Sequence, residues 1–252
     1  MAIKTKLASL TPARERCKRT ITLLSHGYYA KTAFPNGDIE VFPWDSYADD
    51  ILLSSREDLK LKALYSLIPR LCNLNGCKAT AMLAGDAMTV LLVSRSFRTA
   101  CMTQVSTVNS VGKKVSITVK IPDNLERVGE KDPGYAGVDV ITLPDAGDEI
   151  GLRPLTIGDE ITVEEMKSGK YAEHPADALR FITGLVHVGN GEVEDPEEAL
   201  AYWNALSVPD QLHAVAEQDR LSPHLSNTAT AVDITTGQEI KVTLNLGYDF
   251  FR

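Results

Sequence analysis

The sequence predicts an α+β fold written twice, each half carrying a short strand pair, a few helices and a closing β-hairpin. Three observations predict it. Ile21-Thr22-Leu23 with Gly27 and Pro43 recurs as Ile141-Thr142-Leu143 with Gly147 and Pro154. A proline followed by an acidic pair recurs as well, at Asp49-Asp50 and Asp159-Glu160. Segments 103–121 and 228–246 overlay without a gap, so that Gly112 meets Gly237 while Val115, Ile117, Val119 and Ile121 keep step with Ile240, Val242, Leu244 and Leu246. Apolar residues at every second position are the mark of strands with one buried face. The expected organisation is an arm over 1–20, a first half over 21–121, a linker over 122–137 and a second half over 138–252.

Taken in order, the first half opens with strands at Ile21-Thr22-Leu23 and at 39–42, separated by the turn signal Asn36-Gly37. Ser54 and Glu57 have capping-box spacing, and Leu61, Leu64, Leu67 and Ile68 then recur at helical intervals until Pro69 limits the run. A second helix is expected near Asp86, carrying Met88, Leu91, Leu92 and Arg95, and the first closing hairpin follows. Residues 122–136 are polar and rich in turn formers, which reads as a connection. In the second half, strands are expected over 138–143 and 150–152. His174-Pro175 suits a helix entrance, with Leu179, Ile182, Leu185 and Val186 as the apolar stripe and Gly189 as the stop. Asp195-Pro196 followed by Glu198 combines an N-cap, a proline at the first helical position and a capping glutamate, and the helix it starts buries Leu200 and Trp203. The last helix follows Pro209, with Leu212, Val215 and Ala216 as its apolar residues.

Composition bounds the function. At 252 residues and 44% hydrophobic, the chain can bury a substantial core as one large domain or two small ones. It lacks a run of about eighteen apolar residues, so no membrane span is expected. Net charge is −8, yet the first nineteen residues hold Lys4, Lys6, Arg14, Arg16, Lys18 and Arg19 against one acid, Glu15. This basic arm has no apolar stretch of the secretory kind. It is expected to meet an acidic neighbouring subunit rather than nucleic acid, because no basic patch interleaved with aromatics follows it.

Catalytic and metal-binding patterns are missing from the sequence. Cys17, Cys72, Cys77 and Cys101 lack zinc-site spacing and read as free or buried thiols. The five histidines, His26, His174, His187, His213 and His224, include no pair three or four residues apart. Asp49, Asp50, Asp159 and Glu160 read as helix N-terminal acids, and the cluster from Glu192 to Glu198 as a solvated helix start. No nucleophile elbow, phosphate-binding loop or dinucleotide fingerprint occurs. No catalytic, cofactor-binding or metal residue is expected, and no cofactor.

The repeated blocks resemble the hub-assembly family of baseplate proteins from contractile-tailed bacteriophages. Leu23-Leu24-Ser25-His26-Gly27 and Leu143-Pro144-Asp145-Ala146-Gly147 are similar to that family's Leu-Pro-Ser-x-Gly strand and turn. Val41 to Pro43, running to Asp49-Asp50-Ile51-Leu52, matches its strand, proline and acidic pair. Lys241 to Leu246 and Phe250-Phe251 match its alternating strand and double phenylalanine. Many members carry a Cys-x-x-Cys-Gly knuckle, where this chain has Val108 and Val111 before Gly112, and Asp233 and Thr236 before Gly237. The resemblance therefore implies hairpins held without zinc. It implies a structural or assembly protein of the tail baseplate hub, built into the virion from host cytoplasm, with other tail or baseplate subunits as partners and no enzyme activity. The alternative is a hydrolase or transferase with a site between the halves. Expected partner contacts are Lys4, Lys6, Arg14, Arg16, Lys18 and Arg19 at one end, and Tyr248, Phe250 and Phe251 at the other.

Overall fold

Local pairing begins where the Ile-Thr-Leu block predicts it. In the computed structural model, which describes residues 17–54, 60–97, 101–109, 112–233, 236–244 and 246, β1 (Arg19–Thr22) pairs antiparallel with β2 (Asp38–Val41), setting Ile21 opposite Ile39. The intervening loop closes through the Leu23 amide, which donates to the Gly37 carbonyl at 2.8 Å. Helices α1 (Ser46–Ser54), α2 (Lys60–Ser66), α3 (Ile68–Leu71) and α4 (Ala84–Ser96) follow. Then come β3 (Cys101–Val108), β4 (Lys114–Ile121) and β5 (Leu125–Val128).

The chain then forms another antiparallel hairpin, β6 (Asp139–Thr142) with β7 (Glu149–Leu152), which sets Ile141 opposite Ile150. It continues through α5 (Ile157–Ser168), α6 (Ala176–Gly184), β8 (Leu185–Val188), β9 (Gly191–Glu192), α7 (Pro196–Ala205) and α8 (Val208–Leu221). It ends in β10 (His224–Val232) and β11 (Glu239–Thr243). Among the described residues the strands make four small antiparallel sheets, in the orders β1-β2, β3-β4, β11-β10-β5 and β6-β7-β8-β9. The fold class is α+β.

Side-chain chemistry explains the helix starts. Thr156 caps α5 through a reciprocal capping box with Asp159, and Arg153 clamps the same carboxylate at 2.6 Å. Burial opposes the Asp159 charge, but the bonds from Arg153 and Thr156 outweigh it and hold this carboxyl below its usual range. Asp195 caps α7 ahead of Pro196, and Ser207 caps α8 ahead of Pro209. Asp49 and Asp159 both lie in the first turns of their helices.

Several expectations are corrected. Pro69 does not end a helix; it stands in the first turn of α3, where its missing N–H costs nothing. Ser54 closes α1, and its capping partner Glu57 lies outside the described residues. The helix entered at Pro175 stops at Gly184, and Leu185 to Val188 switch to strand β8 on β7. Pairing favours the switch, since the Gly184 carbonyl accepts from the Arg153 amide at 2.9 Å, and the close packing there requires glycine, because a Cβ on Gly184 would lie 2.3 Å from the Gln218 side-chain amide. Finally, of the apolar residues expected on α8, Val215 packs against the second core while Leu212 is exposed, and the helix buries Asp210, Ala214 and Gln218.

Two cores form. The first gathers Leu23, Phe34, Trp44, Leu67 and Leu91 with the inward face of β4, namely Ile117, Val119 and Ile121. It also takes Ala229, Val242 and Leu244 from the chain's last hairpin. The second packs Leu143, Ile150, Phe181, Leu200 and Trp203, with the Phe181 and Trp203 rings 4.8 Å apart. Residues 122–137 are more than a connection: β5 joins β10, and Leu125 is buried in the first core.

Candidate functional site

A buried carboxylate fastens each half's opening turn to the helix before its closing hairpin. Asp86, the third residue of α4, is fully buried. It accepts from the Ser25 hydroxyl and, at 3.3 Å, from the Ser25 amide, while the Ser25 oxygen accepts from the Gly27 amide at 3.0 Å. Asp210, the third residue of α8, is 1% exposed. It accepts from the amides of Asp145 at 2.8 Å and Ala146 at 3.1 Å. Desolvation, with the nearby Asp86 charge, pushes the buried Tyr29 hydroxyl far above the usual phenol range.

The two closing hairpins meet at their tips. Asn109 Nδ2 donates to Asp233 Oδ2 at 3.1 Å, and both residues are buried. The β10-β11 connection is one residue longer than the β3-β4 one, since Val232 pairs with Glu239 whereas Val108 pairs with Lys114. Thr236 Oγ1 donates to the same Asp233 oxygen at 2.8 Å, and the Gly237 amide to the Asp233 carbonyl at 2.7 Å. Polar bonds therefore close this turn, and we expect Asn109→Ala to cost about 1–2 kcal/mol, read by urea unfolding, by removing a donor from a buried carboxylate. A loss no larger than that of an exposed control such as Lys113→Ala would show that the tip contact contributes nothing.

Residues 122–139 form a strap that runs from Leu125 in the first core to the start of β6. The Lys131 amide donates to the Leu24 carbonyl at 2.9 Å, and its ammonium pairs with Asp139 at 2.7 Å while lying over the Tyr135 ring. Tyr135 packs edge-on against Tyr28, with centroids 4.7 Å apart. Burial, with the Asp139 carboxylate, pushes the Tyr135 hydroxyl well above the usual phenol range.

Beside the strap, a cleft of about 530 Å³ opens between the halves. Its floor includes Leu83, Leu155, Val215 and Ala216, and Asp177 and Asp219 line it too. A second groove of about 590 Å³ lies within the second half, between Ile182, Leu185, Val193 and the acids Glu192 and Glu194. Of the paired acids, Glu160 alone lines the cleft, and Arg180 holds it at 3.1 Å. Asp49 instead accepts from the Trp44 indole at 2.9 Å. Among the described residues, no group of three or more His, Cys, Asp or Glu side chains is placed to hold a metal ion, and no helix is long and apolar enough to cross a membrane.

Of the residues expected to meet partners, Lys18 pairs with Glu40 and, chiefly through that hydrogen bond, holds the Glu40 carboxyl below its usual range. Arg19 is exposed on β1. Lys4, Lys6, Arg14, Arg16, Tyr248, Phe250 and Phe251 lie outside the described residues. Sequence reasoning placed a helix start near Asp86 but missed the roles of Asp86 and Asp210. The available signal was their shared place at the third helical position ahead of each closing segment. No family model, curated protein or solved structure matches the chain.

Proposed function

We propose that the chain is a structural or assembly protein of the hub region of a bacteriophage tail baseplate, working through protein–protein contacts and carrying no enzyme activity. One observation carries the reading. The two segments that resemble the hub-assembly family's strand and turn, at Leu23 to Gly27 and Leu143 to Gly147, are the two turns fastened by Asp86 and Asp210. That equivalence also supports an origin by internal duplication, and pseudo-symmetric lobes are a common basis for assemblies. At the knuckle positions Asp233 and Thr236, a hydrogen bond joins the two side chains, which suits a hairpin held without zinc. The helix N-terminal acids Asp159 and Glu160 are engaged by Arg153 and Arg180.

The test is genetic. Removing this chain from the genome that carries it is expected to abolish contractile tails with complete baseplates in electron micrographs, and supplying it from a plasmid to restore them. Normal tails in its absence would end the proposal.

A further inference from the structure

Helix α8 leaves two large apolar side chains outward. Val208 is 65% exposed and Leu212 67%, while Asp210, Ala214 and Gln218 face inward. Residues 208, 212, 215, 216 and 219 share one helical face. The stripe runs on into the cleft between the halves at Ala216 and at Val215, which is half-buried against the second core, and ends at Asp219, about 16 Å from where it began. Asp177 lines the same cleft without an ion-pair partner among the described residues. The Asp219 side chain is 78% exposed, with the His224 imidazole 3.9 Å away. The other charged residues of the cleft, Glu160 and Arg180, pair with each other at 3.1 Å, so Asp177 and Asp219 leave it net acidic, and an apolar stripe leading there suits a basic amphipathic segment, which offers anchors at positions i, i+4 and i+7.

The chain itself contains such a segment. Ile3, Leu7 and Leu10 recur at intervals of four and three, Lys4 and Lys6 stand between them, and Arg14 and Arg16 follow. We propose that the cleft beside α8 receives residues 1–16 of a second copy of this chain. The inference rests on the assembly reading above and names one of its partners. Copies of a chain with net charge −8 repel one another, and the basic segment supplies the opposite sign at the point of contact. An arm of one copy in the cleft of the next is a head-to-tail contact, the kind that builds rings or filaments.

Light scattering on the full chain tests this. Wild type is expected to associate with rising concentration and to dissociate as salt is added. Leu212→Lys, Asp177→Lys/Asp219→Lys and the arm variant Lys4→Glu/Leu7→Glu should each weaken association at least about tenfold, at an unchanged melting temperature. Mixing the arm variant with Leu212→Lys should restore hetero-association, since one intact arm then meets one intact cleft. A monomeric wild type, or a Leu212→Lys variant of wild-type melting temperature that associates as tightly as wild type, overturns the inference. Neither result touches the tail-assembly reading, which the deletion experiment judges separately.

Discussion

Replacing Gly129 by alanine is expected to lower the unfolding free energy by about 3 kcal/mol or more, the sum of two independent penalties. Gly129 sits on the strap with φ +63°, a left-handed conformation that costs an L-residue about 1–2 kcal/mol. Its absent side chain is also where the strap presses on the end of α8. An added Cβ would stand 2.3 Å from the Ser222 carbonyl oxygen and 3.0 Å from that of Arg220. These are backbone atoms. The Ser222 amide is itself tied back into α8 by bonds to Gln218 and Asp219, so relief requires moving the helix end or the strap, at roughly 1–3 kcal/mol. For a chain of this length the melting temperature should fall by roughly 6–12 °C. Gly147→Ala supplies the control, because Gly147 has φ +73° but open space around its Cα. It should show the conformational penalty alone. If both variants lose the same stability, the strap is not clamped against α8.

Elements whose cause is local were legible in the sequence. The alternation of Ile117, Val119 and Ile121 marked β4 and its buried face, and Asp195-Pro196 marked the start of α7, because a pleat and an N-cap are decided within a few residues. Elements decided from a distance were not. Leu185 to Val188 continue a helical stripe in sequence, yet β7 captures them as a strand. The polar stretch holding β5 forms a strand because β10, about a hundred residues later, offers it an edge. Leu212 of α8 reads as core by spacing alone, whereas the buried side is claimed by Asp210, which anchors a turn 64 and 65 residues away. The cleft was legible only as a place between halves, since its floor draws on α4 and α8 together. The acids that matter structurally, Asp86 and Asp210, look in sequence like any other first-turn carboxylate, and only burial separates them from exposed ones.

Asp86 is expected to make the stability of the protein depend on pH, and Asp86→Asn to remove that dependence. Desolvation by burial raises its pKa from 3.8 to about 6, against the hydrogen bonds from Ser25 that favour the charged form. The folded state thus holds the proton more tightly than the unfolded chain. Its contribution is fully present below about pH 4 and is lost as pH rises through about 6, and a shift of about 2 units corresponds to roughly 3 kcal/mol. Asparagine keeps the shape of the site: its oxygen accepts from the Ser25 amide, and its amide group donates to the Ser25 oxygen. The variant should therefore be relatively less stable than wild type at pH 4 and should gain about 3 kcal/mol on it by pH 7.5, read from urea unfolding of both chains at each pH. Asp86→Ala should lose stability at both pH values, because the Ser25 amide is then left buried without an acceptor. Parallel pH profiles for wild type and Asp86→Asn would show that the carboxyl stays ionised in the folded protein across this range, with the helix N-terminus and Ser25 together stabilising its charge.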